Sequence, residues 1–85
     1  MLSLKDERAS ARIDIRLRRL ELGNFGDVKP VGSGVTELRI DYGPGYRVYF
    51  VTRGTMLVIL LCGGDKRTQG PDIKQAVKMA AELED

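Results

Sequence analysis

The segment Asp41 to Thr68, DYGPGYRVYFVTRGTMLVILLCGGDKRT, most constrains the fold of this chain. A tight turn, Tyr42-Gly-Pro-Gly45, separates two stretches of period-two alternation. Before it, Val35, Glu37, Arg39 and Asp41 fall on one side of a strand and Leu38 and Ile40 on the other. That pattern predicts a half-buried strand. After it, Tyr46, Val48 and Phe50 share one face, and Arg47, Tyr49, Val51 and Arg53 the opposite one. Arg53-Gly-Thr makes a second turn. Leu57 to Cys62 is apolar on both faces, which predicts a central strand covered on both sides. Three antiparallel strands in a meander follow.

Helices flank this meander. Leu4 to Leu22 has helical composition without Gly or Pro; Ser3 and Asp6 form a weak capping box, and Gly23-Asn24 ends it. At about 100° per residue, Ala9, Ile13, Leu17 and Leu20 make one apolar stripe. Leu4, Ala11, Ile15 and Leu22 make a second on the opposite side. Lys5, Arg8, Arg12, Arg16 and Arg19 lie on one flank between them, and Glu7, Asp14 and Glu21 on the other. A surface helix needs one stripe, so two ask for two partners. Phe25 to Gly34 holds three glycines and a proline and reads mainly as loop. Gly63 to Gly70 reads as a charged loop, and Pro71 opens a helix over Asp72 to Leu83, with Ile73, Ala76, Val77 and Ala80 on its apolar face. The expected class is α+β: helix, three-stranded antiparallel meander, helix, in a single domain over residues 1–85.

Composition removes several kinds of chemistry. The chain has no histidine and one cysteine, so Ser-His and Cys-His dyads and the usual metal-ligand spacings are absent. Cys62, inside the apolar run, is expected to be a core residue and fits a reducing compartment. No metal or cofactor is expected. The longest apolar run is far too short to span a bilayer and no signal peptide is visible, so the expected location is cytoplasmic, with no membrane partner. With 42% hydrophobic and 31% charged residues the chain is globular, and a net charge of +2 implies no global basic field. Anion binding must therefore come from local clustering.

Basic residues cluster around the hairpin. Arg39 and Arg47 lie on polar faces of neighbouring strands, and antiparallel pairing brings Lys66 and Arg67 toward Arg47. Such convergence suits a phosphodiester backbone, and ordinary solvated charge neutralised by Glu37, Asp41 and Asp65 is the competing reading. Gly63-Gly64-Asp65-Lys66 suits a phosphate in type but matches neither glycine-rich nucleotide motif, and a plain strand-to-helix connection is the better reading of these four residues. Tyr49, on the arginine face, is either a platform for a base or a packing residue. Tyr46 is expected in the core.

Two stretches, LGNFGDVKPVGSGVTELRIDYGPGYRVYF and VILLCGGDKRTQGPDI, closely resemble the HigB-like branch of the RelE/ParE toxin superfamily, the addiction-module killer proteins. The resemblance runs from about Lys5 to Leu83. It implies a type II toxin, paired with a helix-turn-helix antitoxin, that cleaves mRNA on the ribosome as an endoribonuclease. By this resemblance Arg47, Lys66 and Arg67 take the catalytic positions, and Lys29 and Arg39 join them in binding RNA; Tyr49, from its place on the arginine face, is the further RNA-binding candidate. Some relatives use a His or Tyr near the C-terminus as acid or base. Here that work would fall to Asp65, Glu37, Tyr49, Lys66, or positioning and the ribosome. The chain also begins about where the family's long helix begins, so the expectation is a RelE-like fold lacking the N-terminal strand and short helix. The second stripe and an unpaired sheet edge would then be open to an antitoxin or to a second copy of the chain. Two alternatives remain: a shortened, weakly active member that mainly binds its antitoxin, and a ParE-like gyrase inhibitor.

Overall fold

The structure is a computed structural model that describes residues 7–54 and 57–83. Its order is α1 (Glu7–Glu21), β1 (Val28–Gly32), β2 (Val35–Ile40), β3 (Tyr46–Arg53), β4 (Leu57–Asp65), a short 3-10 turn (Lys66–Thr68) and α2 (Gln69–Glu82). The four strands form one antiparallel sheet in the order β1-β2-β3-β4. The chain is an α+β domain.

The helices lie on opposite faces of the sheet. On one face Ile13 and Leu20 of α1 bury against Leu38, Ile40, Val48 and Phe50, with Leu17, Val58 and Leu60 partly buried beside them. On the other, Ala76 and Ala80 of α2 bury against Val35, Tyr49, Val51 and Leu61. The first stripe of α1 is thus the core stripe. The second is exposed, with Ile15 at 51% and Leu22 at 85%. Leu4 of that stripe and the expected Ser3 cap lie outside the described residues. At its C-terminus α1 closes as read: Gly23 takes φ +85° and the Asn24 N–H donates to the Arg19 carbonyl at 2.8 Å.

Four expectations are corrected. The meander has four strands rather than three, because Val28–Gly32 pairs with β2 instead of forming loop. Pro30 and the surrounding glycines hid it, yet an edge strand accommodates a proline that a central one would not. Next, β2 is not half-buried: Glu37, on its polar side, is fully buried because α2 closes that face. Finally, β4 is at the edge of the sheet, not its centre. Its side chains still meet both cores, Val58 and Leu60 one, Ile59, Leu61 and Cys62 the other. The strand also runs on through Gly63, Gly64 and Asp65, and α2 starts at Gln69, so little of the expected Gly63–Gly70 loop exists.

Candidate functional site

The site forms where the β2–β3 hairpin meets the end of β4. Tyr42-Gly-Pro-Gly45 closes with the Gly45 N–H donating to the Tyr42 carbonyl at 3.1 Å. The register then sets Arg39 directly opposite Arg47, and Arg47 opposite Gly64. Lys66, first residue of the 3-10 turn, follows two residues after Gly64. Arg39, Arg47 and Lys66 line one groove of about 400 Å³ together with Gly43, Pro44, Gly45, Asp27 and Asp41. Three of the basic residues singled out in the sequence therefore converge.

Beneath them is a carboxylate. Glu37 Oε1 accepts from Arg39 Nε at 3.1 Å and lies 3.6 Å from Arg47 Nε. Its Oε2 accepts from Tyr49 Oη at 3.1 Å and Gln69 Nε2 at 2.7 Å. Arg47 is itself largely buried, its side chain 13% exposed, and its Nη1 donates to the Tyr46 carbonyl. Arg47 Nε is buried and makes no hydrogen bond among the described residues, since Glu37 is just beyond bonding reach. Backbone contacts hold the assembly. Arg16 of α1 donates from Nη1 to the Arg39 carbonyl at 2.7 Å, and the Arg39 N–H donates to the Asp27 carbonyl at 3.0 Å.

Other expected residues lie elsewhere. Tyr49 is fully buried, so it offers no face to a base. Packing under α2 and the bond to Glu37 take it out of solvent, and burial, then the Glu37 charge, raise its phenol well above the ordinary range. Arg67 turns away from the groove and donates to Asp65 Oδ2 at 3.1 Å, with its side chain 82% exposed. Its position follows from the 3-10 turn, whose capping box ties Asp65 to the Arg67 and Thr68 region. Lys29, on β1 opposite Glu37, is exposed and does not line the groove.

The proton-transfer candidates narrow as well. Hydrogen bonds from Arg67 hold the Asp65 carboxyl below its usual range, which makes it a weak base. Glu37 is enclosed and fully engaged as an acceptor. Lys66 remains in the groove, and two carboxylates not singled out for acid/base work, Asp27 and Asp41, line it too. Cys62 is half-buried, its Sγ–H directed at the Asp72 carbonyl, with burial raising the thiol above its ordinary value. Among the described residues no group of His, Cys, Asp and Glu side chains assembles to hold a metal. Among the same residues no helix is long and apolar enough to cross a membrane.

Fold and site together define a small α+β domain whose sheet carries a cationic groove at one end, braced by a buried carboxylate. Residues 2–83 match the phage-derived Gp49-like proteins, and the chain belongs to that family. An uncharacterized protein of Haemophilus influenzae is 60% identical over 80 residues, covering 94% of this chain and 81% of its own length. No solved structure matches the chain.

Proposed function

We propose that this chain is the toxin of a type II toxin–antitoxin pair, and that its groove holds an mRNA phosphodiester on the ribosome for cleavage. Membership of a family that is toxin-like and related to RelE/HigB-type addiction modules supports the class of protein. The observation that carries the RNA reading is the convergence of Arg39, Arg47 and Lys66 on one groove. Guanidinium forks bind phosphate oxygens in pairs, and a lysine adds a mobile point charge.

In this reading the substrate's own 2′-hydroxyl is the nucleophile. It gives up its proton, its oxygen bonds to the adjacent phosphorus, and the bond from that phosphorus to the 5′-oxygen of the next nucleotide breaks, the departing oxygen taking a proton from Lys66. The products are a 2′,3′-cyclic phosphate and a 5′-hydroxyl end. Negative charge grows on the phosphoryl oxygens as the nucleophile adds, and Arg39, Arg47 and Lys66 stabilise it. Asp41 or Asp27 receives the 2′-hydroxyl proton, since both line the same groove. Ribosome and mRNA supply the alignment, which is a large part of any such rate enhancement.

A second reading, a weakly active member that mainly binds its antitoxin, is favoured by the exposed Ile15 and Leu22 on the outer side of α1. Both readings place the protein in the cytoplasm beside a helix-turn-helix partner. Induction in growing bacteria with primer extension on mRNA separates them. Codon-phased cleavage that disappears in Lys66→Ala supports the enzyme. Intact mRNA with tight binding to the neighbouring antitoxin supports the binder, and intact mRNA with DNA damage supports gyrase inhibition.

A further inference from the structure

We propose that Glu37 is the positioning residue of this groove, the carboxylate that aims Arg39 and Arg47 at a bound phosphodiester by occupying the Nε side of both. The assignment rests on the RNA reading above and deepens it. Arg39 and Arg47 are a directly opposed cross-strand pair. Like charges in that relation repel, so an unassisted pair splays apart. Glu37 sits two residues before Arg39 on the same face of β2, fully buried, with Arg39 Nε at 3.1 Å and Arg47 Nε at 3.6 Å from the same oxygen. A guanidinium is a rigid planar fork, so fixing its Nε side fixes the direction of its Nη groups.

The carboxylate is itself held from three elements. It belongs to β2, Tyr49 donates to it from β3, and Gln69 donates to it from the first turn of α2. Each oxygen therefore faces two donors, and rotation of the Glu37 side chain would break at least one bond. The same clamp ties α2 to the arginine pair. Among the described residues Arg47 Nε is the one buried side-chain donor without a hydrogen bond. Catalytic hydrogen bonds are commonly long in the free protein and tighten around substrate. Contraction of the 3.6 Å contact accordingly accompanies anion binding.

The test follows the Nε–Hε groups of Arg39 and Arg47 by NMR in the full 15N-labelled chain, free and titrated with a single-stranded RNA oligonucleotide carrying 2′-deoxy substitutions against cleavage. In the wild type both Hε atoms exchange with water more slowly than that of exposed Arg18, and Arg47 Hε slows further on binding. In Glu37→Gln, at a temperature where circular dichroism shows it folded, both exchange faster and the oligonucleotide binds about ten-fold or more weaker. A merely structural role would lower the melting temperature but leave affinity and arginine exchange of the folded variant unchanged, and that result overturns the proposal. Should Glu37→Gln not fold, the wild-type exchange decides alone: Arg39 and Arg47 Hε as labile as that of Arg18 sinks the assignment. A wild type that protects both Hε atoms, loses that protection in Glu37→Gln, and fails to bind RNA overturns the RNA reading while leaving the positioning of the pair supported.

Discussion

At the residue scale the most informative atom is the Glu37 carboxylate, because four side chains are arranged around it. Tyr49 has two roles there, filling the core under α2 and donating to Glu37 Oε2. Tyr49→Phe keeps the ring and leaves a buried acceptor one donor short, so it should cost about 1–3 kcal/mol in urea unfolding. Tyr49 also sets an alkaline limit. Its folded-state phenol lies above the value of about 10 expected in the unfolded chain. A group raised in the folded state contributes its stability fully below the unfolded value and loses it as pH rises toward the folded one. Wild-type stability should therefore fall from about pH 10 upward more steeply than that of Tyr49→Phe, as thermal melts between pH 8 and 11 would show. If the two fall in parallel, the phenol is not the group that titrates.

At the element scale, the junction of β4 and α2 leaves no free space beside Gly64. A Cβ on Gly64 would run into the Asp72 carboxylate and the Thr68 hydroxyl, which are themselves hydrogen-bonded. Gly64→Ala should destabilise by about 1–3 kcal/mol, read from the urea midpoint, because the Asp72 and Thr68 side chains must turn aside and give up their hydrogen bond. This junction shows how far the sequence was legible. The hairpin, the faces of β3 and the core stripe of α1 were readable, because period and turn chemistry are local signals. Strand β1 was not: five residues, VKPVG, with a proline and a glycine carry almost no alternation. Nor was the place of β4, since an apolar run reports that layers cover both faces and is silent about its neighbours in the sheet. Antiparallel pairing was enough to bring Arg47 and Lys66 together, whereas Arg67 does not join them because the 3-10 turn after Asp65 carries it outward. The burial of Glu37 could not be seen, because a charged residue on an alternating strand reads as solvent-facing until a helix is placed over it.

At the scale of the whole molecule, two helices on opposite faces leave one end of the sheet open, and the groove sits there. Ile15 and Leu22 project from α1 away from the core. Ile15→Lys with Leu22→Lys should leave unfolding stability within about 0.5 kcal/mol and lower only binding to a partner that covers this side, which an antitoxin pull-down would report. The groove should behave as a small electrostatic site. Three cations, each worth a slope of about −0.7 on single strands, give log K against log salt a slope of about −2 for RNA binding. A slope near zero would mean that these cations do not meet phosphate. The central claim is that the groove of Arg39, Arg47 and Lys66 acts on an RNA phosphodiester, and primer extension on mRNA after induction of the wild type and Arg47→Ala tests it most directly. The expected result is codon-phased cleavage by the wild type and a loss of about 10²–10³ in cleavage rate for Arg47→Ala, the effect of removing one donor to the transition-state charge. Growth arrest with intact mRNA, or cleavage undiminished in Arg47→Ala, would contradict it.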